Sequence, residues 1–168
     1  MKRIIGLCFF LCVACTMWAQ EETSTMKYKG LVDLESGIAY NLNTAQAIST
    51  NNMQFFTTLT TTHGVQLKQY FVGLGVGYMH SYRDEENIYP LFAAFRYDRI
   101  NAKWKPFADV RLGIVYDTYW ISKVQAYGSI SVGFEIYKNI QLSCRGSIFS
   151  RPSRYFTANA GVLLSYAF

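Results

Sequence analysis

Residues 157–168 read TANAGVLLSYAF. Every second residue from Ala158 onward (Ala158, Ala160, Val162, Leu164, Tyr166, Phe168) is apolar or aromatic, while Asn159, Gly161, Leu163, Ser165 and Ala167 between them are mostly small or polar. Side chains alternate across a strand, so this spacing predicts a strand with one oily face. The stretch ends on an aromatic residue with another two places before it, in a chain that opens like an exported protein. That combination predicts a β-barrel of the outer membrane of a Gram-negative bacterium.

The opening residues, MKRIIGLCFFLCVACTMWAQ, place Lys2 and Arg3 before an uncharged apolar core and bring small Ala19 to its end. This is the pattern of a secretory signal peptide over 1–19. The uncharged stretch from Ile4 to Ala19 is shorter than the roughly 20 residues of a spanning helix. Lipidation at Cys15, behind Val13 and Ala14, is the alternative, and it is weakened by Cys12 where Leu is usual. A short tail over 20–27 and a barrel over 28–168 are expected to follow.

The whole chain has 16 Lys and Arg against 11 Asp and Glu. Removing Lys2 and Arg3 with the leader leaves 14 against 11, an excess of three positive charges, which is too small to imply a nucleic-acid partner. Three of the four cysteines leave as well, so Cys144 has no internal disulfide partner. Aromatic residues make up 17% of the chain, with 13 Tyr and only 3 Pro, a composition that favours strands and membrane interfaces.

The alternation of the final stretch recurs along the chain. In the first segment Tyr28, Val32, Leu34, Ile38 and Tyr40 oppose Lys29, Asp33, Glu35 and Asn41. The segment from Met53 to Gln66 is Thr-rich and the least regular, because Phe56 falls on its polar face. From Tyr70 to Tyr82 the second face carries Gly73, Gly75 and Gly77, and from Tyr89 to Tyr97 it carries Phe92, Ala94 and Arg96. Three more segments, near 106–116, 125–136 and 140–148, place Asp109 and Arg111, then Glu135, then Arg145 on their polar faces.

With the terminal stretch there are eight segments, each about the 9–11 residues that cross a bilayer at a tilt. The predicted fold is all-β, an eight-stranded antiparallel up-and-down transmembrane β-barrel. A soluble barrel would turn its oily face inward. Here the opposite face is charged and glycine-rich, which suits a narrow polar lumen. If the amino terminus is periplasmic, Tyr28, Tyr70, Tyr97, Phe134, Tyr166 and Phe168 fall near one rim, and Tyr40, Phe55, Tyr78, Tyr89, Tyr116 and Phe156 near the other.

At HGVQLKQYFVGLGVGY, PLFAAFRYD and KPFADVRLG the sequence resembles the small porin-like outer-membrane β-barrel domain proteins abundant in the Bacteroidetes, over about Met53 to Phe168. In size it is similar to eight-stranded barrels of the OmpA and OmpX type. The resemblance implies an architecture and a compartment, and it implies no chemistry. Leu164, Tyr166 and Phe168 also resemble the signal read by the barrel-assembly machinery, with Leu163 where Gly is common.

The inward charges are the candidate site. Asp33, Glu35, Asp109 and Glu135 face Arg96, Arg111 and Arg145, and a charge in a narrow lumen needs a partner. Counting from the short turns puts Asp33, Glu35, Asp109, Arg111 and Arg145 at similar height, so a salt-bridge network plugging the barrel is expected. A proton or ion path is the alternative. His63 and His80 face outward near opposite rims, which disfavours a shared metal. Ser81 beside His80 points to the other face, so a hydroxyl–histidine catalytic pair is not expected. Gly73, Gly75 and Gly77 lack the following helix of a phosphate loop and read as packing space.

No catalytic residue, metal or cofactor is expected. The expected partners are outer-membrane lipid, lipopolysaccharide and the assembly machinery; Arg83, Lys123, Arg151 and Arg154 at the outer loop edge read either as contacts to lipopolysaccharide phosphates or as ordinary solvated charges. The expected role is structural or surface interaction. A lipid-modifying barrel enzyme, or a small pore or accessory to a transport or secretion complex, is the alternative.

Overall fold

Each alternating segment forms a strand: β1 (Met26–Leu42), β2 (Met53–Leu67), β3 (Tyr70–Ser81), β4 (Glu86–Asp98), β5 (Pro106–Asp117), β6 (Lys123–Tyr137), β7 (Ile140–Arg151) and β8 (Tyr155–Ala167). The computed structural model describes residues 26–42, 53–82, 86–99, 104–117, 123–151 and 155–168. The expected leader over 1–19, lipidation at Cys15, and the loop arginines Arg83 and Arg154 lie outside the described residues. Met26 and Lys27, expected in the tail, pair with Leu67 and Gln66 and so belong to the barrel.

All eight strands pair with their sequence neighbours, and β1 also pairs with β8, so the sheet closes. Around the ladder, Tyr28 leads to Val65, Val72, Phe95, Val110, Ile130, Gly146 and Ala160, and Ala160 pairs with Ile38, ten residues above the start. Eight strands with that stagger tilt by roughly 40°. Closure leaves no strand edge, so the backbone groups of the ladders are satisfied without water.

The outward residues are those the spacing assigned. Leu34, Leu74, Leu112, Ile130, Val132 and Leu164 are among the half-exposed or more exposed apolar side chains that cover the barrel wall. In water such a surface would drive aggregation, whereas in hydrocarbon it is stable. Tyr28 and Tyr40 mark its two margins on β1. Twelve residues at this tilt separate them by roughly 30 Å, about the thickness of a bilayer core.

The inside departs from the expected polar lumen. Phe56, Met79, Ile88, Val115, Tyr127 and Phe149 are buried there at the end away from the short turns, and Phe71, Phe107 and Leu31 are buried near the short-turn end. Alternation fixes which way a side chain points, but it does not make an inward residue polar. A barrel this narrow is filled by side chains, and filling it with apolar atoms avoids desolvating polar groups.

The β3 glycines make the room. A Cβ on Gly75 would lie 2.5 Å from the Phe92 ring, and one on Gly73 would lie 2.8 Å from the Phe71 ring.

Candidate functional site

The site builds on three strands. Asp33 and Glu35 project from β1, Asp109 and Arg111 from β5, and Arg145 from β7. Each pair is spaced by two residues, so both members face the lumen. With the ten-residue stagger included, all five stand at a common height, although β5 lies four strands from β1 in either direction.

Arg111 spans that diameter. Its Nη2 donates to Asp33 Oδ2 at 2.6 Å, its Nε donates to Asp109 Oδ1 at 2.8 Å, and its Nη1 donates to Thr60 Oγ1 at 3.2 Å. Thr60 in turn donates to Asp33 Oδ2 at 3.1 Å. Arg145 Nη1 donates to Glu35 Oε2 at 3.1 Å and its Nη2 to Asp33 Oδ2 at 3.4 Å. All five charged side chains are buried, and Arg111 is 2% exposed. The Arg111 guanidinium also sits over the Phe92 ring at 4.8 Å, which joins the ionic layer to the apolar layer above it.

The other two expected members stand apart. Arg96 pairs with Asp98 at 2.6 Å, and Glu135 pairs with Lys105 at 2.9 Å. Both stand nearer the short turns than the central cluster. Lys29 joins Arg96 on Asp98 at 2.7 Å, and Gln66 donates to the same oxygen at 3.1 Å. The Arg96 guanidinium also lies 3.6 Å from the Phe107 ring centre. The sequence reading missed Asp98 and Lys105, because each sits at a strand boundary where alternation gives out.

The lumen therefore holds two charged layers, with an apolar layer above them. Chemically the central layer ties β5, on the opposite wall, and β7, two strands away, to β1. A cation crossing it would have to separate Arg111 from Asp33, and water crossing the layer above would have to pass Phe56, Tyr127 and Phe149.

The histidines sit outside and far apart. His63 contacts the Tyr28 hydroxyl through Nδ1 and Thr61 Oγ1 through Nε2, the latter at 3.0 Å, and packs against the Phe168 ring. His80 meets Asn87 Oδ1 at 2.9 Å and packs against Tyr78 and Tyr82. Ser81 faces inward and donates to Gln54 Oε1 at 2.7 Å, away from His80. Among the described residues no group of three His, Cys, Asp or Glu is placed to hold a metal ion.

Of the proposed assembly residues, Leu164, Tyr166 and Phe168 all point outward. Phe168 extends the β1–β8 ladder: Gly30 N donates to Phe168 O at 2.8 Å, and Phe168 N donates to Gly30 O at 3.0 Å. Its ring covers Gly30.

No family model matches the chain, and no curated protein matches it. Solved structures do. Neisserial surface protein A is similar at TM-score 0.58 and 12% identity, covering 88% of this chain and 100% of its own. Ail, the attachment invasion locus protein of Yersinia pestis, is similar at TM-score 0.61 and 10% identity, covering 84% and 99%. The outer membrane enzyme PagL is similar at TM-score 0.57 and 10% identity, covering 80% and 98%. At these identities the likeness is one of fold, and that fold carries both surface proteins and an enzyme.

Proposed function

We propose that this chain is an outer-membrane barrel of a Gram-negative bacterium with a structural or surface-interaction role, its lumen closed to ions by the buried charged network. The observation that carries the reading is the Arg111–Asp33 pair, which ties β5 to β1 across the full lumen at 2.6 Å. The apolar wall and the likeness to surface barrels support the location. The short turns at Lys68–Gln69 and Lys138–Asn139 face the periplasm, because short turns lie on that side in such barrels. Leu164, Tyr166 and Phe168 serve as the assembly signal.

The enzyme alternative needs a nucleophile, a base and a carboxylate together. Around His63 and His80 the hydrogen-bonding groups are hydroxyls and an amide.

Fractionation tests the reading. The mature protein should sediment with the outer membrane, resist carbonate extraction and migrate faster on a gel when unheated. Complete release by carbonate or high salt would overturn it.

A further inference from the structure

The periplasmic rim carries more positive charge than its partners neutralise. Lys29 and Arg96 share Asp98, and Lys105 takes Glu135. Lys27, Lys68, Arg99 and Lys138 form no ion pair among the described residues. Two of these four are not spread at random. Lys27 and Lys68 line one open cavity of about 480 Å³, together with Lys29, Asn139, Tyr28 and Phe168.

Two features of this cavity go beyond a basic surface. The first is its mixed wall: in the notch where β1 runs on below the end of β8, Lys27 and Lys29 of the lumen-facing set and Lys68 of the turn meet Tyr28 and Phe168, each about half exposed on the lipid-facing surface. A ligand that fits must be anionic at one end and apolar at the next. The second is the backbone of Lys68, which is held at φ 52°. That left-handed conformation favours Gly or Asn, and a lysine there is disfavoured. The two-residue turn between β2 and β3 requires that conformation, and the turn brings Lys68 to the wall of the cavity.

We infer that this cavity binds the phosphate headgroup of an anionic phospholipid of the periplasmic leaflet, with Lys27 and Lys68 at the phosphate and Tyr28 and Phe168 along the first acyl segment. The inference rests on the orientation proposed above. Lipid is favoured over a soluble phosphate because the aromatic wall opens onto the hydrocarbon face of the barrel. Binding would anchor the β1–β8 seam, where Phe168 completes the ladder, to the lipid around it.

The test uses the full mature chain refolded into nanodiscs of phosphatidylcholine and phosphatidylglycerol, then released into neutral detergent for native mass spectrometry. Phosphatidylglycerol should be retained in preference to phosphatidylcholine. Lys68→Asn, which suits the left-handed backbone and so preserves the fold, should lower that preference about five-fold, the effect of one lysine near an anionic lipid surface. Arg99→Gln removes the same charge from the same rim outside the cavity, and it should leave the preference unchanged.

No preference in the wild type would overturn the site, and so would equal losses in the two variants, which would mark a diffuse rim field. Displacement of the lipid by inorganic phosphate at equal concentration would overturn the acyl contact. Failure of the chain to insert would remove the barrel reading itself, whereas an inserted chain without the preference removes the lipid site alone.

Discussion

Arg111 is the residue on which the interior depends. It is buried between two aspartates and an aromatic ring. Arg111→Met would leave Asp33 and Asp109 without their closest cation, and breaking a buried pair this way costs about 3–5 kcal/mol. Urea unfolding from lipid vesicles should show that loss, and a change under about 1 kcal/mol would contradict a tie across the lumen. Gly75 carries a second residue-scale prediction. Gly75→Val would drive a side chain into the Phe92 ring, 2.5 Å from the new Cβ, and overpacking of this kind costs about 1–3 kcal/mol. Adding Phe92→Leu should recover part of it, and additive losses would show that the two positions do not meet.

At the scale of the strand, β8 and its end decide closure. Phe168 gives the β1–β8 ladder its last two backbone bonds and shields Gly30. Deleting Phe168 should lower the amount of barrel in the membrane while leaving the stability of inserted molecules within about 1 kcal/mol, as expected for loss of a terminal hydrogen-bonded pair. Normal membrane levels would count against the proposed assembly signal.

The strands were the most legible part of this chain, because period-two alternation at Tyr28–Tyr40 or Ala158–Phe168 has a single geometric reading. Boundaries were less legible. β4 begins at Glu86 and β8 at Tyr155, about three residues before the pattern becomes regular. Heights counted along each strand were enough to gather Asp33, Glu35, Asp109, Arg111 and Arg145. Counting set Arg96 and Glu135 apart from that layer without naming their partners, because Asp98, two residues on from Arg96, and Lys105 sit at strand boundaries. The apolar layer left a trace as well, since Phe56 and Phe92 fall on the polar faces of their segments. Only the closed barrel explains them, as the filling of a space too narrow for anything else.

At the scale of the whole molecule, the proposed role requires a sealed barrel. Two charged layers and an apolar layer occupy the lumen between the rims, and each would oppose the passage of ions for a different reason. Charged ties must be broken before an ion can pass, and an apolar constriction resists wetting. Opening the barrel would therefore take a change in both. Replacing Phe56 and Phe149 with Ala should admit water without conductance while the Arg111 ties hold, and a double change of Phe149→Ala with Arg111→Ala should give brief openings.

Recording from the refolded wild-type protein in a planar bilayer tests the seal. A sealed barrel predicts a silent membrane after insertion has been verified by the unheated gel shift. Steady, large unitary conductance from that same preparation would contradict it.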